Sequence, residues 1–245
     1  MKINKISKEK NNIISYPNHI AIIMDGNRRW AKKNKKLNFL GHRKGVKTVK
    51  KIIGLCLKYN IKALTLYAFS SENWKRSSDE VTFLMDLFKE ILDIETKNLE
   101  KKKIRLKIIG NKNKFNFSLQ KAIIKAENLT KNNNNLLLNI AANYGGRWDI
   151  VNSVKKIVVD INKGLLNPEN INEKIINNYI CLNDISPVDL VIRTGGEYRI
   201  SNFLIWQIAY SELYFTKKLW PDFNKKDFKK ALNSFIKRNR RFGGD

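Results

Sequence analysis

The chain has 245 residues and a formal net charge of +26 at pH 7, with 48 Lys and Arg against 22 Asp and Glu. Its 42% hydrophobic and 10% aromatic residues exclude wholesale disorder, and its 4 Pro and 12 Gly exclude collagen-like and Gly/Pro-rich chains. Two cysteines, Cys56 and Cys181, are too few for a disulfide framework or a four-cysteine zinc site, so we expect a reducing compartment.

Lysine supplies most of the positive charge, because 37 of the basic residues are Lys and only 11 are Arg. Such an excess is common in proteins that bind nucleic acid, anionic membranes or polyanionic substrates. Asn is also abundant, and Lys and Asn both have AT-rich codons, so we attribute much of the charge to mutational bias on a solvated surface. Because most cations in this chain are Lys, each Arg is a stronger indication of an anion-binding site. Only Arg offers an anion a planar pair of donors.

The first 16 residues form a basic N-terminal segment that lacks the apolar stretch of a secretory signal, and we predict that it is flexible. Residues 17–245 are predicted to form a single domain. No window approaches the 18 apolar residues that a membrane-spanning helix requires.

Strand-like and helix-like patterns alternate along this domain. In chain order they predict a strand at 20–24, a helix at 41–59, a strand at 63–69, a helix at 77–99, a strand at 104–109, a helix at 118–130, a strand at 136–142, helices at 148–162 and 170–179, strands at 188–192 and 213–215, and a helix at 225–240. Ser77 and Glu80 have the spacing of a capping box at the start of the second helix. The alternation predicts an α/β fold with a central, mostly parallel β-sheet flanked by helices on both faces.

Ligands of such sheets bind beyond the carboxyl ends of the strands. Four segments are predicted to lie at that edge, namely residues 25–30, 70–76, 143–148 and 193–201. In the first, Asp25 is a suitable ligand for Mg²⁺, and Gly26 allows a tight turn. Arg28 and Arg29 add charge-assisted donors for a phosphate. The alternative is an Asp that caps a helix beside two solvated arginines.

The second and fourth segments also combine polar groups. Residues 70–76 contain two hydroxyls, a carboxylate, an amide, an indole and a guanidinium, although a polar turn with one packed Trp would look the same. In the fourth segment, Arg193 and Arg199 stand on either side of a Gly-Gly turn that a hydroxyl follows, which is typical of an anion clamp. The alternative there is a glycine turn with surface arginines.

Two further residues are candidates. His42 opens a predicted helix and could bind a phosphate oxygen or transfer a proton, although a lone His is more often structural. Glu212 lies among apolar and aromatic residues, where a carboxylate is costly unless it has a partner such as a metal. Walker-type loops, GxGxxG, GxSxG and Asp-Asp pairs are all absent, so nucleotide hydrolysis, dinucleotide binding and the aspartate-rich chemistry of trans-prenyl synthases lack support.

Taken together, the motifs resemble those of the cis-prenyltransferases, in the order of that family and from about residue 17 to the C-terminus. They are His-Ile-Ala-Ile-Ile-Met-Asp-Gly-Asn-Arg-Arg-Trp at 19–30, Gly-His at 41–42, Thr-Leu-Tyr-Ala-Phe-Ser-Ser-Glu-Asn-Trp at 65–74, Asn-Tyr-Gly-Gly-Arg at 143–147, Asp-Leu-Val-Ile-Arg-Thr-Gly-Gly-Glu at 189–197, Arg-Ile-Ser-Asn-Phe-Leu at 199–204, Trp-Pro-Asp-Phe at 220–223 and Arg-Arg-Phe-Gly-Gly at 240–244. Each motif alone is moderately specific, whereas the ordered set is very specific.

The resemblance implies an enzyme that joins isopentenyl diphosphate units to an allylic diphosphate, usually farnesyl diphosphate, and makes each new double bond cis. The bacterial members are the most similar, and they make undecaprenyl diphosphate, the precursor of a lipid carrier for cell-wall polysaccharides. The resemblance further implies Mg²⁺ as the cofactor, a homodimer, and a cytoplasmic location with peripheral association at the membrane that receives the product. It also implies an apolar tunnel, which Ala68, Leu84, Met85 and Phe88 are candidates to line.

The resemblance also implies roles for single residues. Asp25 would bind Mg²⁺ and help the diphosphate to leave, Glu212 would join the metal site, and Asn73 would position a proton relay. The allylic diphosphate would be held by Gly26, Asn27, Arg28 and Arg29, with Trp30 and His42 beside it. The site for isopentenyl diphosphate would comprise Ser70, Ser71, Glu72, Trp74 and Arg76, together with Arg193, Arg199, Ile200 and Ser201.

The sequence departs from the bacterial pattern at three positions. Arg28 stands where many bacterial members have Gly, and Tyr198 stands where some members have a metal-contacting His. Asn38 stands where an Arg usually contacts the allylic diphosphate. Two other interpretations stay open: a non-catalytic partner subunit of the same fold, and a basic nucleic-acid-binding protein. We expect neither, because the Asp-Gly-Asn-Arg segment is present and the five Trp lie within or beside the family motifs.

Overall fold

The structure, a computed structural model, describes residues 15–238. Most of the predicted N-terminal segment and the whole Arg-Arg-Phe-Gly-Gly motif at 240–244 lie outside the described residues. Within them, no helix is both long enough and apolar enough to cross a lipid bilayer.

Six parallel strands form one sheet in the order β3-β4-β2-β1-β5-β6. The strands are β1 (His19–Ile23), β2 (Ala63–Ser70), β3 (Ile104–Ile109), β4 (Leu136–Tyr144), β5 (Leu190–Arg193) and β6 (Glu212–Phe215). The helices are α1 (Asn27–Lys33), α2 (Asn38–Lys58), α3 (Ser78–Lys101), α4 (Phe117–Thr130), α5 (Gly146–Asn162), α6 (Glu173–Tyr179) and α7 (Lys225–Ile236). The predicted α/β fold with a mostly parallel sheet is confirmed.

Apolar side chains on both faces of the sheet explain why the strands read as continuous hydrophobic runs. Every residue of β1 is buried, as expected for a central parallel strand covered on both sides. On one face, Ile52 of α2, Leu92 of α3 and Phe228 of α7 belong to the larger apolar cluster. On the other face, Val191 of β5 belongs to a second cluster with partly buried Trp148 of α5.

The first helical region differs from the prediction of one helix at 41–59. Residues 27–33 form a separate helix, and α2 begins at Asn38, three residues earlier than expected. The two helices approach closely because Gly41 has no side chain: a Cβ there would lie 2.2 Å from the carbonyl oxygen of Asn27. Because α1 begins four positions after the end of β1, the contact brings the start of α2 to the carboxyl edge of the sheet.

Candidate active site

The four segments predicted at the carboxyl edge do lie together. Nε1 of Trp74 donates to Oδ1 of Asn143 at 2.7 Å, which joins the second segment to the third. Asn202, just after the fourth segment, donates through Nδ2 to Glu72 at 2.7 Å. Its Oδ1 accepts from the backbone N–H of Arg147 at 2.9 Å. Asn202 was not among the predicted site residues, although its position directly after Ser201 indicated that it lies near the site.

Asp25, at the end of β1, is held by two arginines. Nη2 of Arg29 lies 3.0 Å from Oδ1 of Asp25, and Nη2 of Arg193 lies 2.9 Å from Oδ2. Partial burial alone would raise the pKa of Asp25, but the hydrogen bonds from Arg193 and Arg29 outweigh it and hold the pKa below the ordinary value of a carboxyl. Gly195 permits this arrangement, because a Cβ at its φ of +90° would lie 2.6 Å from Nη2 of Arg29.

Arg193 is almost fully buried, with 4% of the residue exposed, and it organises the loop after β5. Its Nη1 donates to the backbone carbonyl of Arg199 at 2.5 Å and to Oγ of Ser201 at 2.8 Å. Its Nε is buried without a hydrogen-bond partner among the described residues. The guanidinium therefore links Asp25 to the Ser201 turn and retains one free donor.

A first polar cavity of about 630 Å³ lies over α1 and the start of α2. Its lining residues are Met24, Asp25, Gly26, Asn27, Arg28, Arg29, Lys32, Lys36, Asn38, His42 and Arg76. Five of them carry a fixed positive charge, and the single carboxylate is Asp25. Such a surplus of donors suits a strongly anionic group such as a diphosphate. Lys32 was not predicted, although it lies one helical turn after Arg28 and so on the same face of α1.

A second polar cavity, of about 560 Å³, lies over the carboxyl ends of β2 and β5. Its polar lining residues are Asp25, Asn27, His42, Tyr67, Ser70, Glu72, Asn73, Arg76, Arg193, Ser201 and Asn202. Oδ1 of Asn73 accepts a hydrogen bond from the backbone N–H of Ser70 at 3.1 Å. Asn73 is therefore fixed in orientation by its own turn.

A third, narrow cavity of about 120 Å³ leads from this region between the sheet and the helices. Ala68, Leu84, Met85 and Phe88, the four residues suggested for a tunnel, all line it. Met24, Asn27 and His42 line all three cavities, so the three spaces meet at these residues.

Two polar atoms at this meeting point have no partner among the described residues. Oδ1 of Asn27 is buried and unpaired, while its Nδ2 donates to the carbonyl of Met24 at 3.2 Å. Nε2 of His42 is also buried without a hydrogen bond. An unpaired buried polar atom costs free energy, so both atoms are available for a bound molecule.

His42 is uncharged at neutral pH. Burial and the nearby positive charge of Arg76 lower its pKa to about 4, although the carboxylate of Glu80 acts in the opposite direction. A neutral imidazole presents one donor and one acceptor, so it can bond either a phosphate oxygen or a hydroxyl.

Glu80, which sequence reasoning assigned to a capping box, is instead part of the site's support. It lies 2.9 Å from Nη1 of Arg76 and 3.8 Å from both Arg28 and Nε2 of His42. The predicted capping box is wrong, because the Ser77 side chain makes no hydrogen bond at the start of α3. The guanidinium of Arg76, with that of Arg28 nearby, offers the Glu80 carboxylate a stronger partner than a backbone N–H does.

Several predicted site residues line neither polar cavity. The Trp30 side chain is buried, and its indole donates to Asp222 at 2.8 Å. The Trp74 indole is bound to Asn143, and the Arg199 guanidinium pairs with Glu197 at 2.7 Å. Ile200 packs against the second apolar cluster, and Ser71 lies beside Gly145. Direct substrate contacts by these five residues stay predictions.

The structure does not bring Glu212 to Asp25 within one chain. Glu212 is the first residue of β6 and pairs with Leu190, whereas Arg193 at the other end of β5 pairs with Phe215. Three residues of strand span about 10 Å, and the Glu212 carboxylate is bound to Arg238 instead. Tyr198, for which the family resemblance implies a metal-contacting His in some members, is exposed and packs against Phe215.

Comparisons with known proteins agree with this geometry. A family model described as "Putative undecaprenyl diphosphate synthase" matches residues 23–243. The farnesyl-diphosphate-specific ditrans,polycis-undecaprenyl-diphosphate synthase of Blochmanniella floridana is 59% identical over 93% of this chain and 91% of that protein. The protein of the same name from Escherichia coli K12 is 56% identical over 92% of this chain and 89% of that protein.

A solved structure of lavandulyl diphosphate synthase from Lavandula x intermedia, in complex with dimethylallyl diphosphate, superimposes with a TM-score of 0.90. It is 40% identical, and the match covers 93% of this chain and 98% of that one. The chain therefore belongs to the cis-prenyltransferases, in the undecaprenyl diphosphate synthase family.

Proposed function

We propose that the protein condenses isopentenyl diphosphate units onto farnesyl diphosphate with cis geometry and makes a long-chain polyprenyl diphosphate, undecaprenyl diphosphate. The relatives named above carry this activity in their names. The product would serve as the precursor of a lipid carrier for cell-wall polysaccharides.

One observation carries the proposal: two polar cavities and one apolar cavity meet at Met24, Asn27 and His42. The condensation needs two diphosphates held side by side and an apolar space for the chain that grows between them. By motif, the first polar cavity would hold the allylic diphosphate, and the second would hold isopentenyl diphosphate. The apolar cavity would receive the hydrocarbon tail.

Mg²⁺ fits the first cavity as a partner of the substrate rather than as a resident ion. Among residues 15–238, no group of three His, Cys, Asp or Glu side chains could hold a metal. Mg²⁺ commonly binds one or two carboxylates together with substrate phosphates, and Asp25 is the carboxylate that lines both polar cavities. When bound, the ion would neutralise charge on the departing diphosphate. Glu212 stays a predicted ligand that this single chain does not supply beside Asp25.

The chain's own residues would orient the reacting groups. Arg28 and Arg29, with lysines of α1 and the following loop, would bind the allylic diphosphate and stabilise the charge that develops as it leaves. Arg193 and Ser201 would hold the second diphosphate. Asn73 cannot act as the final base, because an amide is a poor proton acceptor, so it would position the relay that removes the proton.

The two other interpretations have less support. A non-catalytic partner subunit would have no reason to keep the Asp25–Arg29 segment joined to Arg193. A nucleic-acid-binding protein would present stacking aromatics on a basic face, whereas Trp30, Trp74 and Trp220 donate to groups inside this domain.

A homodimer is also part of the proposal. The outer face of α5 exposes Val151, Val154 and Val158 at 54%, 49% and 47%, and exposed apolar patches of this kind mark contact surfaces. The family resemblance also implies that the C-terminal motif at 240–244 reaches an active site across the dimer, and these residues lie outside the described residues. Light scattering should give the mass of two chains, and deletion of the last five residues should lower activity without unfolding. A monomer, or a fully active truncation, would count against this part.

We also keep a cytoplasmic location with peripheral membrane association as a proposal.

Incubation with farnesyl diphosphate, labelled isopentenyl diphosphate and Mg²⁺, followed by chromatography, tests the function. A ladder of labelled products that ends in a long polyprenyl diphosphate is expected. No incorporation of label, with the protein folded, would refute the proposal.

A further inference from the structure

The charge of the chain is distributed unevenly around the first cavity. Between Asp25 and Glu72 the sequence contains no Asp or Glu, but it contains thirteen Lys and Arg. Mutational bias toward Lys explains extra cations, but it does not explain the loss of every acid from one continuous stretch. Nine of the thirteen lie within residues 28–47, in α1, the loop after it and the first half of α2, so the charge near the first cavity is concentrated there.

Large apolar side chains are exposed in the middle of this stretch. Every residue from 32 to 40 is exposed. Leu37 is 64% exposed, Phe39 39% and Leu40 38%. Single exposed apolar side chains are ordinary, but three within four residues form a patch that indicates an interaction site.

The outer face of α2 extends the patch with cations. Lys44, Lys47 and Lys51 follow Leu40 at helical spacing and so lie on the same face of the helix. Within residues 15–238, none of these three lysines forms an ion pair. By contrast, Arg43 and Lys50 on the flank of α2 pair with Glu90 at 2.9 Å and Glu95 at 2.6 Å. Lys47 and Lys51 are exposed and Lys44 is half-buried. These three lysines, unlike Arg43 and Lys50, are therefore left for an external anion.

A groove beside the patch has an apolar floor. It lies between α2 and α3, has a volume of about 490 Å³, and its floor includes Val46, Leu87 and Ile91. Leu40 and Lys47 also line it, so the groove opens directly into the patch. Apolar groups that enter from the patch side would find apolar surface there.

We propose that this docking patch, defined as residues 32–40 with Lys44, Lys47 and Lys51, binds the surface of an anionic phospholipid bilayer. Apolar side chains surrounded by unpaired lysines are typical of interfacial binding, in which the apolar groups enter the headgroup region and the cations bind anionic lipids. Nucleic acid fits less well, because two of the three apolar side chains are aliphatic and cannot stack on bases. A second copy of the chain would bring like charges together.

Docking in this orientation would connect the bilayer with the first cavity. Lys32 and Lys36 belong to the patch and also line that cavity. The mouth of the cavity would therefore lie at the membrane surface, where a long apolar product is most soluble. The inference deepens the proposed peripheral membrane association, because it names the surface that binds and the class of lipid. Its test needs neither substrate nor turnover, so it can fail while the proposed activity stands.

Flotation of the full-length protein with lipid vesicles, without substrates, tests the proposal. Vesicles of phosphatidylcholine with about one-third phosphatidylglycerol are compared with phosphatidylcholine alone, at low and high salt. The charge variant replaces Lys44, Lys47 and Lys51 by Gln. The matched control replaces Lys97, Lys101 and Lys102, three exposed lysines at the far end of α3, in the same way. A third variant, Leu37→Ser with Leu40→Ser, removes apolar contacts and no charge.

The wild type should bind the anionic vesicles in a salt-sensitive manner and should bind the neutral ones weakly. The charge variant should bind roughly tenfold or more weakly, because each lysine near an anionic surface strengthens binding about fivefold. The control should change by less than about threefold, and the Leu37→Ser, Leu40→Ser variant should lose the binding that persists at high salt.

Three results would overturn the proposal. The first result is that the charge variant and its control bind the vesicles equally. The wild type could bind a DNA duplex but no vesicles, which would assign the charge to nucleic acid. The Leu37→Ser, Leu40→Ser variant could keep vesicle binding but have a smaller mass by light scattering, which would assign the patch to contact between copies of the chain.

Discussion

Nη2 of Arg193 donates to Oδ2 of Asp25 at 2.9 Å and so joins residues 168 positions apart at the ends of β5 and β1. Arg29 holds the other carboxylate oxygen at 3.0 Å. Of the two polar cavities, Arg29 lines only the first and Arg193 lines only the second. The Asp25 carboxylate contacts both of these arginines. This arrangement makes Asp25 the connection between the two proposed diphosphate sites.

Replacement of Asp25 should abolish turnover while the fold stays intact. The loss of a metal-assisted interaction with the leaving group costs several kcal/mol in the transition state. Asp25→Ala and Asp25→Asn should therefore both retain less than a tenth of wild-type activity at saturating Mg²⁺. Asn keeps an acceptor for buried Arg193, so circular dichroism of that variant should match the wild type. Activity above a tenth in both variants would exclude the proposed metal role.

Gly45 should be required for activity, because a side chain there would meet Asn27 and the buried Trp220. A Cβ at Gly45 would lie 2.4 Å from Oδ1 of Asn27, so Gly45→Ala should displace the Asn27 side chain from the meeting point of the cavities. Gly54 on the same helix is the matched control, since no atom lies within 4 Å of its Cβ position. Gly54→Ala should keep full activity and stabilise the protein by up to about 1 kcal/mol. Equal activities of the two variants, measured beside urea unfolding, would contradict this role of Gly45.

His42 should make the protein sensitive to acid. Its pKa is about 4 in the folded state against 6.5 for an ordinary histidine, so between these values the unfolded chain binds more protons. The stability that depends on neutral His42 is complete above pH 6.5 and is lost as the pH falls toward 4. Relative to His42→Gln, the wild type should lose on the order of 2 kcal/mol of unfolding free energy across this range. Parallel stability curves for the two proteins between pH 7 and 4 would disprove the shift.

Asn38 and Arg28 both line the first cavity. The family resemblance predicts an Arg at the position of Asn38. A charge-assisted contact to phosphate contributes on the order of 1.5–3 kcal/mol against roughly 1 for a neutral one. Asn38→Arg should therefore lower the KM for farnesyl diphosphate and leave the KM for isopentenyl diphosphate nearly unchanged. Lys36, which also lines the cavity, can supply charge but not the paired donors of Arg.

The same pair of positions permits a double-mutant cycle. Arg28→Gly should harm the wild type more than it harms the Asn38→Arg variant, because the two cations would be partly redundant. The KM for farnesyl diphosphate of the four proteins measures this coupling. Strictly additive effects would mean that Arg28 does not stand in for the missing arginine.

The sequence located the site because its residues follow strand ends. The apolar runs before Asp25, Ser70 and Arg193 predicted parallel strands, and parallel strands bring their carboxyl ends to one edge. The order of apolar runs and polar residues along the chain was enough to predict that these segments lie at one edge. The apolar tunnel came from the family resemblance, and the four residues suggested for it line the third cavity.

Residues whose partners lie on distant elements could not be predicted in the same way. Glu80 has a local capping pattern, but its carboxylate is bound to Arg76 and lies near Arg28 of α1 and His42 of α2. The position of α2 relative to α3 depends on the packing of whole helices, including the close approach at Gly41. Glu212 was assigned from its apolar neighbours, whereas the strand register that separates it from Asp25 depends on pairing with β5.

Separate KM values for the two substrates test the central claim, the existence of two distinct diphosphate sites, most directly. Arg28 lines only the first polar cavity, and Ser201 lines only the second. Arg28→Ala should raise the KM for farnesyl diphosphate roughly tenfold and leave that for isopentenyl diphosphate within about twofold, and Ser201→Ala should do the reverse. If both variants raised the same KM, or raised both equally, the two cavities would not be separate diphosphate sites.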